Sequence, residues 1–203
     1  MNLGNNSVQS SICYIGMGCC GLTCYNQLLI KRSIVAYMER TLIVLKPDAV
    51  ARGIVGEVIT RFEKAGLKLV GMKMVHPNEE HYYHHYQTIG TLKSRKGDEI
   101  FSNTVQSMLE GPVIAAVIEG VDAVETVRKM VGATEPKSSA PGTIRGDFSH
   151  MSYARSNEAG RAIANIIHAS ADKEEADKEV PHWFADNELF QYKTVHEQFT
   201  QFS

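Results

Sequence analysis

The residues best able to do chemistry in this chain gather around His168, in the run Asn165-Ile166-Ile167-His168-Ala169-Ser170. An imidazole can carry a covalent group when a second side chain fixes its tautomer and aims the other nitrogen. Two apolar residues precede His168, which puts it at the edge of a core element facing a cleft. Ser170 stands two residues on and can hydrogen-bond nearby. Glu179, at the end of a short charged run, is an acid that can hold one ring nitrogen. A lone histidine of this kind would be read as closing a buried strand, but cations recur elsewhere. Lys46 projects where Pro47 stops a strand, and a lysine there meets a polyanion as a mobile point charge. The turn-rich segment 132–145 has Thr134 near its start and ends at Arg145, whose guanidinium fork matches phosphate oxygens. With Arg128, these give three cations and a hydroxyl around one possible anion site.

The elements that must position these groups are legible from periodicity. Residues 41–45 (TLIVL) form a buried strand ending at Lys46-Pro47-Asp48. Residues 49–65 read as an amphipathic helix ended by Gly66, and 67–75 as a second strand. Asn78 followed by Glu79 and Glu80 caps a short helix that carries His81, His85 and Tyr86; Tyr86 can donate to a substrate. His81 and His85 stand four apart, but no carboxylate or third histidine completes a metal motif there, and no protein metal site is assigned. Residues 88–98 read as an exposed basic loop and 99–109 as a helix. Residues 113–118 form a strand buried on both faces, and 121–131 a helix whose apolar stripe excludes Arg128. A fourth strand falls near 165–168. Residues 169–178 make a short exposed helix before Glu179, and the tail from 189 lies on the surface, where it can meet a neighbouring subunit.

Composition narrows the class. The 203 residues carry a formal charge of −2, which gives no basic footprint for nucleic acid. No apolar run reaches the roughly eighteen residues of a membrane helix. All four cysteines (Cys13, Cys19, Cys20, Cys24) lie in a Gly/Ser/Asn-rich stretch, 1–37, without a basic region ahead of an apolar one. That stretch reads as a disordered or non-native leader, and 38–203 as one domain of a soluble, cytoplasmic protein.

The segments Leu45-Lys46-Pro47-Asp48, Arg52-Gly53, His85-Tyr86, Gly111-Pro112-Val113, PGTIRGDF (141–148) and NIIHAS (165–170) occur in order. Together they resemble nucleoside diphosphate kinase, over nearly everything but the leader. The resemblance implies an α+β, ferredoxin-like βαββαβ fold: a four-stranded antiparallel sheet covered by helices. It implies transfer of the terminal phosphate of a nucleoside triphosphate, usually ATP, to a nucleoside diphosphate, by a ping-pong route through a phosphohistidine, which maintains nucleotide pools. His168 then matches the phosphorylated histidine and Glu179 the acid that orients it, with Ser170 behind them. Lys46, Tyr86 and Arg145 match groups around the transferred phosphate. Arg128 and Thr134 match binders of the inner phosphates, and Asn165, with Lys46, the contact to the sugar hydroxyls. Mg²⁺ would ride on the nucleotide phosphates, and a homo-oligomer, hexamer or tetramer, is implied. A non-catalytic nucleotide-binding relative and a nucleic-acid module using Lys93–Lys96 are the alternatives; the intact site residues oppose the first, the acidic balance the second. No phosphate-binding GxxxxGK[ST] loop is present. Two segments, about 88–98 and 149–161, are longer than in the commonest relatives, and the position of a base-stacking phenylalanine falls near Ile100 or Phe101.

Overall fold

The computed structural model describes residues 38–200; the expected 1–37 leader and its cysteines lie outside them. Strands β1 (Met38–Leu45), β2 (Lys68–Val75), β3 (Val113–Val121) and β4 (Ile167–Ala169) form one sheet in the order β2-β3-β1-β4. Every neighbouring pair is antiparallel. The helices are α1 (Pro47–Ala51), α2 (Val55–Lys64), α3 (Glu79–Tyr83), α4 (Leu92–Lys96), α5 (Asp98–Leu109), α6 (Ala123–Val131), α7 (Ile144–Phe148), α8 (Tyr153–Glu158) and α9 (Lys173–Trp183).

The continuous apolarity of β1 has a direct cause: both of its faces are covered. Ile43 and Leu45 pack with Val58 and Phe62 of α2 and Val127 of α6. Leu42 and Val44 pack on the other face with Tyr82 of α3, Met108 of α5 and Trp183 of α9. Successive strand residues point to opposite faces. In β4, Ile167 and Ala169 are buried in the first cluster, so His168 between them faces the second layer, where α9 lies. Pairing of Val44 with His168 fixes that register. One residue of slip would bury the imidazole among aliphatics instead.

Several boundaries differ from the sequence reading: β4 covers 167–169 instead of 165–168, and the short helix expected at 169–178 is α9, which starts at Lys173 behind its Asp172 cap and runs on through Glu179. The expected helix 49–65 is two helices, because Gly53 turns at φ 67° between α1 and α2. β3 runs on to Val121, and Asp122 at φ 47° turns the chain into α6. Residues 88–98 are not an open loop. A π-helical turn, His84–Ile89, leads through Thr91 at φ 48° into α4. Arg95 donates twice to the Gly90 carbonyl (3.1 and 2.6 Å), and the Lys93 amide donates to Gln87 Oε1 (2.8 Å). Side chains of the segment itself thus satisfy its backbone. The second long segment likewise folds, with Ser152 capping α8.

The tail lies on the surface as expected, and it is pinned to β2. A register shift between Leu69 and Gly71 frees the Val70 carbonyl, which accepts from the Phe190 amide (2.8 Å); Tyr192 Oη donates to the Leu69 carbonyl (2.6 Å).

Gly132, which ends α6, stands at φ 88°, and a Cβ there would come within 2.6 Å of Thr143 Oγ1. Gly132→Ala is expected to destabilise the fold by about 2 kcal/mol or more, since strain and clash add. The denaturant midpoint reads this directly.

Candidate active site

A cleft of about 870 Å³ opens between the sheet's β1–β4 end and the helical layer. Lys46, Tyr86, Arg128, Thr134, Arg145, Asn165, His168 and Glu179, all singled out by sequence, border it. Ser170 is buried behind Glu179.

The nucleophile candidate is held from behind. His168 Nε2 lies 2.9 Å from Glu179 Oε1 and 3.1 Å from Oε2. Ser170 Oγ donates to Glu179 Oε2 at 2.6 Å. Burial pushes the Glu179 carboxyl up, but His168, His85 and the Ser170 hydroxyl outweigh it and bring it down to about 2. Glu179 is therefore an anion that accepts only, so Nε2 carries the imidazole proton and Nδ1 keeps its lone pair. Tyr86 stands edge-on to His168 with ring centroids 6.3 Å apart. Its hydroxyl is buried and has no hydrogen-bond partner among the described residues. Burial, with Tyr82 and Glu179 beside it, raises that hydroxyl above its ordinary range, which keeps it a donor.

The turn before the nucleophile is strained. Ile166 adopts φ 72°, rare for a β-branched residue, and the Ile167 amide donates to the Asn165 carbonyl at 2.7 Å. Three groups hold it. Asp48 Oδ2 accepts from the Ile166 amide (3.0 Å), the Lys46 amide donates to the Ile166 carbonyl (2.8 Å), and Arg145 Nε donates to the Asn165 carbonyl (3.1 Å). Asp48 was missed as a functional residue. Its place in Lys46-Pro47-Asp48, just past a strand's end, is the signal that could have found it.

Arg145 also donates to the Ile167 carbonyl (2.6 Å) and to the Gly132 and Ala133 carbonyls (3.1 Å each). It thereby ties segment 132–145 to β4. Burial and the nearby Arg128 lower it to about 10. Arg128 donates to the Ala169 carbonyl at 3.3 Å. Lys46 Nζ donates to Asn165 Oδ1 at 2.6 Å, and Asn165 Nδ2 donates to the Thr134 carbonyl at 2.8 Å. Thr134 thus joins the network through its backbone. His85, weighed from sequence only beside His81, is buried and accepts from Trp183 Nε1 at 3.2 Å. Both long segments form cleft wall: Arg95 and Lys96 from the first, Tyr153, Asn157 and Arg161 from the second. Ile100 faces the cleft, while Phe101 packs edge-on against Tyr83.

Lys46 is lowered to about 8, first by burial and then by Arg145, with Asp48 opposing. An anion entering the cleft favours the charged form and raises that value. Below pH 8 the lysine is charged in both states and affinity is flat. Above it the free protein has lost a proton that the complex must regain, so anion binding weakens by up to about tenfold per pH unit. Calorimetric affinities for a nucleoside diphosphate at pH 7 and 9 should differ in that direction, and Lys46→Met should remove the difference.

Residues 39–189 match the family model described as nucleoside diphosphate kinase. The chain is 45% identical over 156 residues to a nucleoside diphosphate kinase of Borreliella burgdorferi, covering 77% of this chain and 93% of that one. It is 46% identical over 159 residues to nucleoside diphosphate kinase B of Rattus norvegicus, covering 78% and 94%. Among solved structures it resembles a transition-state mimic of nucleoside-diphosphate kinase from Borrelia burgdorferi with bound vanadate and ADP, at TM-score 0.79 and 43% identity over 81% of this chain and 98% of that one. It also resembles a halophilic nucleoside diphosphate kinase from Halobacterium salinarum in complex with CDP, at TM-score 0.67 and 35% identity over 79% and 97%. By sequence and by fold, the chain belongs to the nucleoside diphosphate kinase family.

Proposed function

We propose that this chain passes the terminal phosphate of a nucleoside triphosphate to a nucleoside diphosphate by way of a phosphate carried on His168 Nδ1. The observation that carries the reading is the Glu179–His168 pair: an acceptor-only carboxylate holds Nε2–H and leaves Nδ1 nucleophilic. Attack of the Nδ1 lone pair on the γ-phosphorus breaks its bond to the β–γ bridging oxygen, and the diphosphate departs. The second substrate's terminal oxygen then takes the phosphoryl group and restores the lone pair. Phosphoryl transfer asks for positioning and for neutralisation of oxygen charge. Arg128 and Arg145 supply charge, Lys46 with Asn165 takes the sugar hydroxyls, and the unpartnered Tyr86 hydroxyl meets an oxygen of the transferred group. Thr134 takes an inner-phosphate oxygen, and exposed Ile100 offers the base an apolar face.

The polar groups facing the phosphates suit a metal that arrives with the nucleotide. Lys46, Arg128 and Arg145 are cations, and Asp48 and Glu179 are spent on Ile166 and His168. Among the described residues no group of carboxylates gathers at the cleft to hold Mg²⁺ independently. Mg²⁺ bound through phosphate oxygens and water fits such a site, where it would spread the charge of the leaving diphosphate.

We place the protein in the cytoplasm as a homo-oligomer. Among the described residues no helix is long and apolar enough to cross a membrane. Met72 and Met74 stand exposed on β2, one of the two edge strands of the sheet, where a second copy can cover them.

Incubation with γ-labelled ATP and Mg²⁺, without acceptor, should give about one label per chain, acid-labile and base-stable, chased off by GDP or CDP. Nucleotide binding without any label would refute the phosphohistidine.

A further inference from the structure

Glu179 is shared by two histidines. Besides holding His168, its Oε1 lies 3.5 Å from His85 Nδ1. The three residues come from the turn His84–Ile89, from β4 and from α9, so only the folded chain brings them together. One ligand atom from each lies within 4.8 Å of the others. All three border the cleft, although His85 and Glu179 are almost wholly buried. Two imidazoles and one carboxylate are the donor set of open zinc sites. Donors about 2.0–2.1 Å from a tetrahedral metal stand about 3.4 Å apart; Glu179 Oε1 lies 2.9 Å from His168 Nε2 and 3.5 Å from His85 Nδ1, near that span, and the two imidazoles, within 4.8 Å of each other, would have to close on the ion. His85 is suited to the task, because it is buried and its Nδ1 faces Glu179. The contacts to be given up are the 3.2 Å bond from Trp183 Nε1 and the Nε2–H bond from His168 to Glu179.

We infer that His85, His168 and Glu179 form a latent site for a divalent transition metal such as Zn²⁺, and that filling it silences the nucleophile. The silencing rests on the proposed role of His168; the binding does not. A neutral imidazole carries one proton, here on Nε2. A metal takes the Nε2 lone pair, so that proton passes through cleft water to Nδ1. Protonated Nδ1 has no lone pair for phosphorus, and no phosphohistidine forms. Mg²⁺ prefers oxygen ligands and water, so it does not fill this site under working conditions.

The chain reports on the site itself, because Trp183 is its single tryptophan and touches His85. The test uses the full chain with its four cysteines changed to serine, so that thiols bind no metal, and free of nucleotide. Co²⁺ should quench Trp183 saturably at one ion per chain and give the visible bands of a tetrahedral site. Zn²⁺ should displace it, and millimolar Mg²⁺ should not. The same Zn²⁺ occupancy should slow labelling by Mg²⁺-ATP at least tenfold. His85→Asn, whose amide can still accept from Trp183, and Glu179→Gln should each lose the quenching. Absent quenching, or quenching that persists in both folded variants, overturns the site. Saturated binding with an unchanged labelling rate overturns the silencing. A metal-free protein that never takes label refutes the nucleophile and leaves the binding result to stand by itself.

Discussion

His168→Ala should abolish phosphoryl transfer, with activity falling about 10⁴-fold or more, while nucleotide affinity changes by less than about tenfold. The asymmetry follows from where the work is divided. Arg128, Arg145, Lys46 and Thr134 all reach the cleft without passing through the imidazole. Removing the ring leaves their charge and the Lys46–Asn165 bond in place. It takes away the lone pair that forms the covalent bond, and nothing nearby replaces it: His85 is buried and engaged by Trp183. Stability should move little, because His168 is partly exposed and its neighbours Ile167 and Ala169 keep β4 in the core. Rapid-quench labelling and calorimetry on the variant check both halves. Substantial transfer by folded His168→Ala would remove the residue from the chemistry.

Arg145→Ala should lose both stability and activity. The buried guanidinium donates to four carbonyls, those of Gly132, Ala133, Asn165 and Ile167, and so clamps the loop before α7 to the strained turn before β4. Alanine leaves buried acceptors without donors, each costing about 1–3 kcal/mol if unmet. Part of that is offset, because the free protein no longer buries a cation that its surroundings push down to about 10. The expected net loss is about 2–4 kcal/mol, with transfer falling about 10³-fold as the turn at Ile166 relaxes and a phosphate contact goes. Arg145→Lys should recover little of either, since one ammonium cannot replace a fork spanning four carbonyls. Thermal melts with and without nucleoside diphosphate separate the terms: wild type should gain more from the ligand than either variant. A melting temperature within a degree of wild type for Arg145→Ala would rule out the clamp.

The parts of this account legible in the sequence are those written in local pattern or in compact motifs. The apolar run 41–45 gives β1 because both faces are covered. NIIHAS and PGTIRGDF place His168 and Arg145, and Glu179 follows His168 by eleven residues, inside α9. What local pattern does not carry is contact across the fold. Asp48 reaches Ile166 over 118 positions, and Trp183 reaches His85 over 98. The strain at Ile166 exists only because Asp48, Lys46 and Arg145 converge on it. The basic segment 88–98 reads as loop because its helical turns depend on Arg95 and Gln87 capping the backbone, which composition does not reveal. For the same reason, that both long segments wall the cleft became visible only in three dimensions.

In the proposed route Glu179 selects which nitrogen of His168 reacts. Phosphorus NMR of the denatured phosphoprotein, kept at alkaline pH, distinguishes a phosphate on Nδ1 from one on Nε2. The geometry predicts a single Nδ1 resonance, lost in His168→Ala. A resonance from Nε2, or from a residue other than His168, would contradict it.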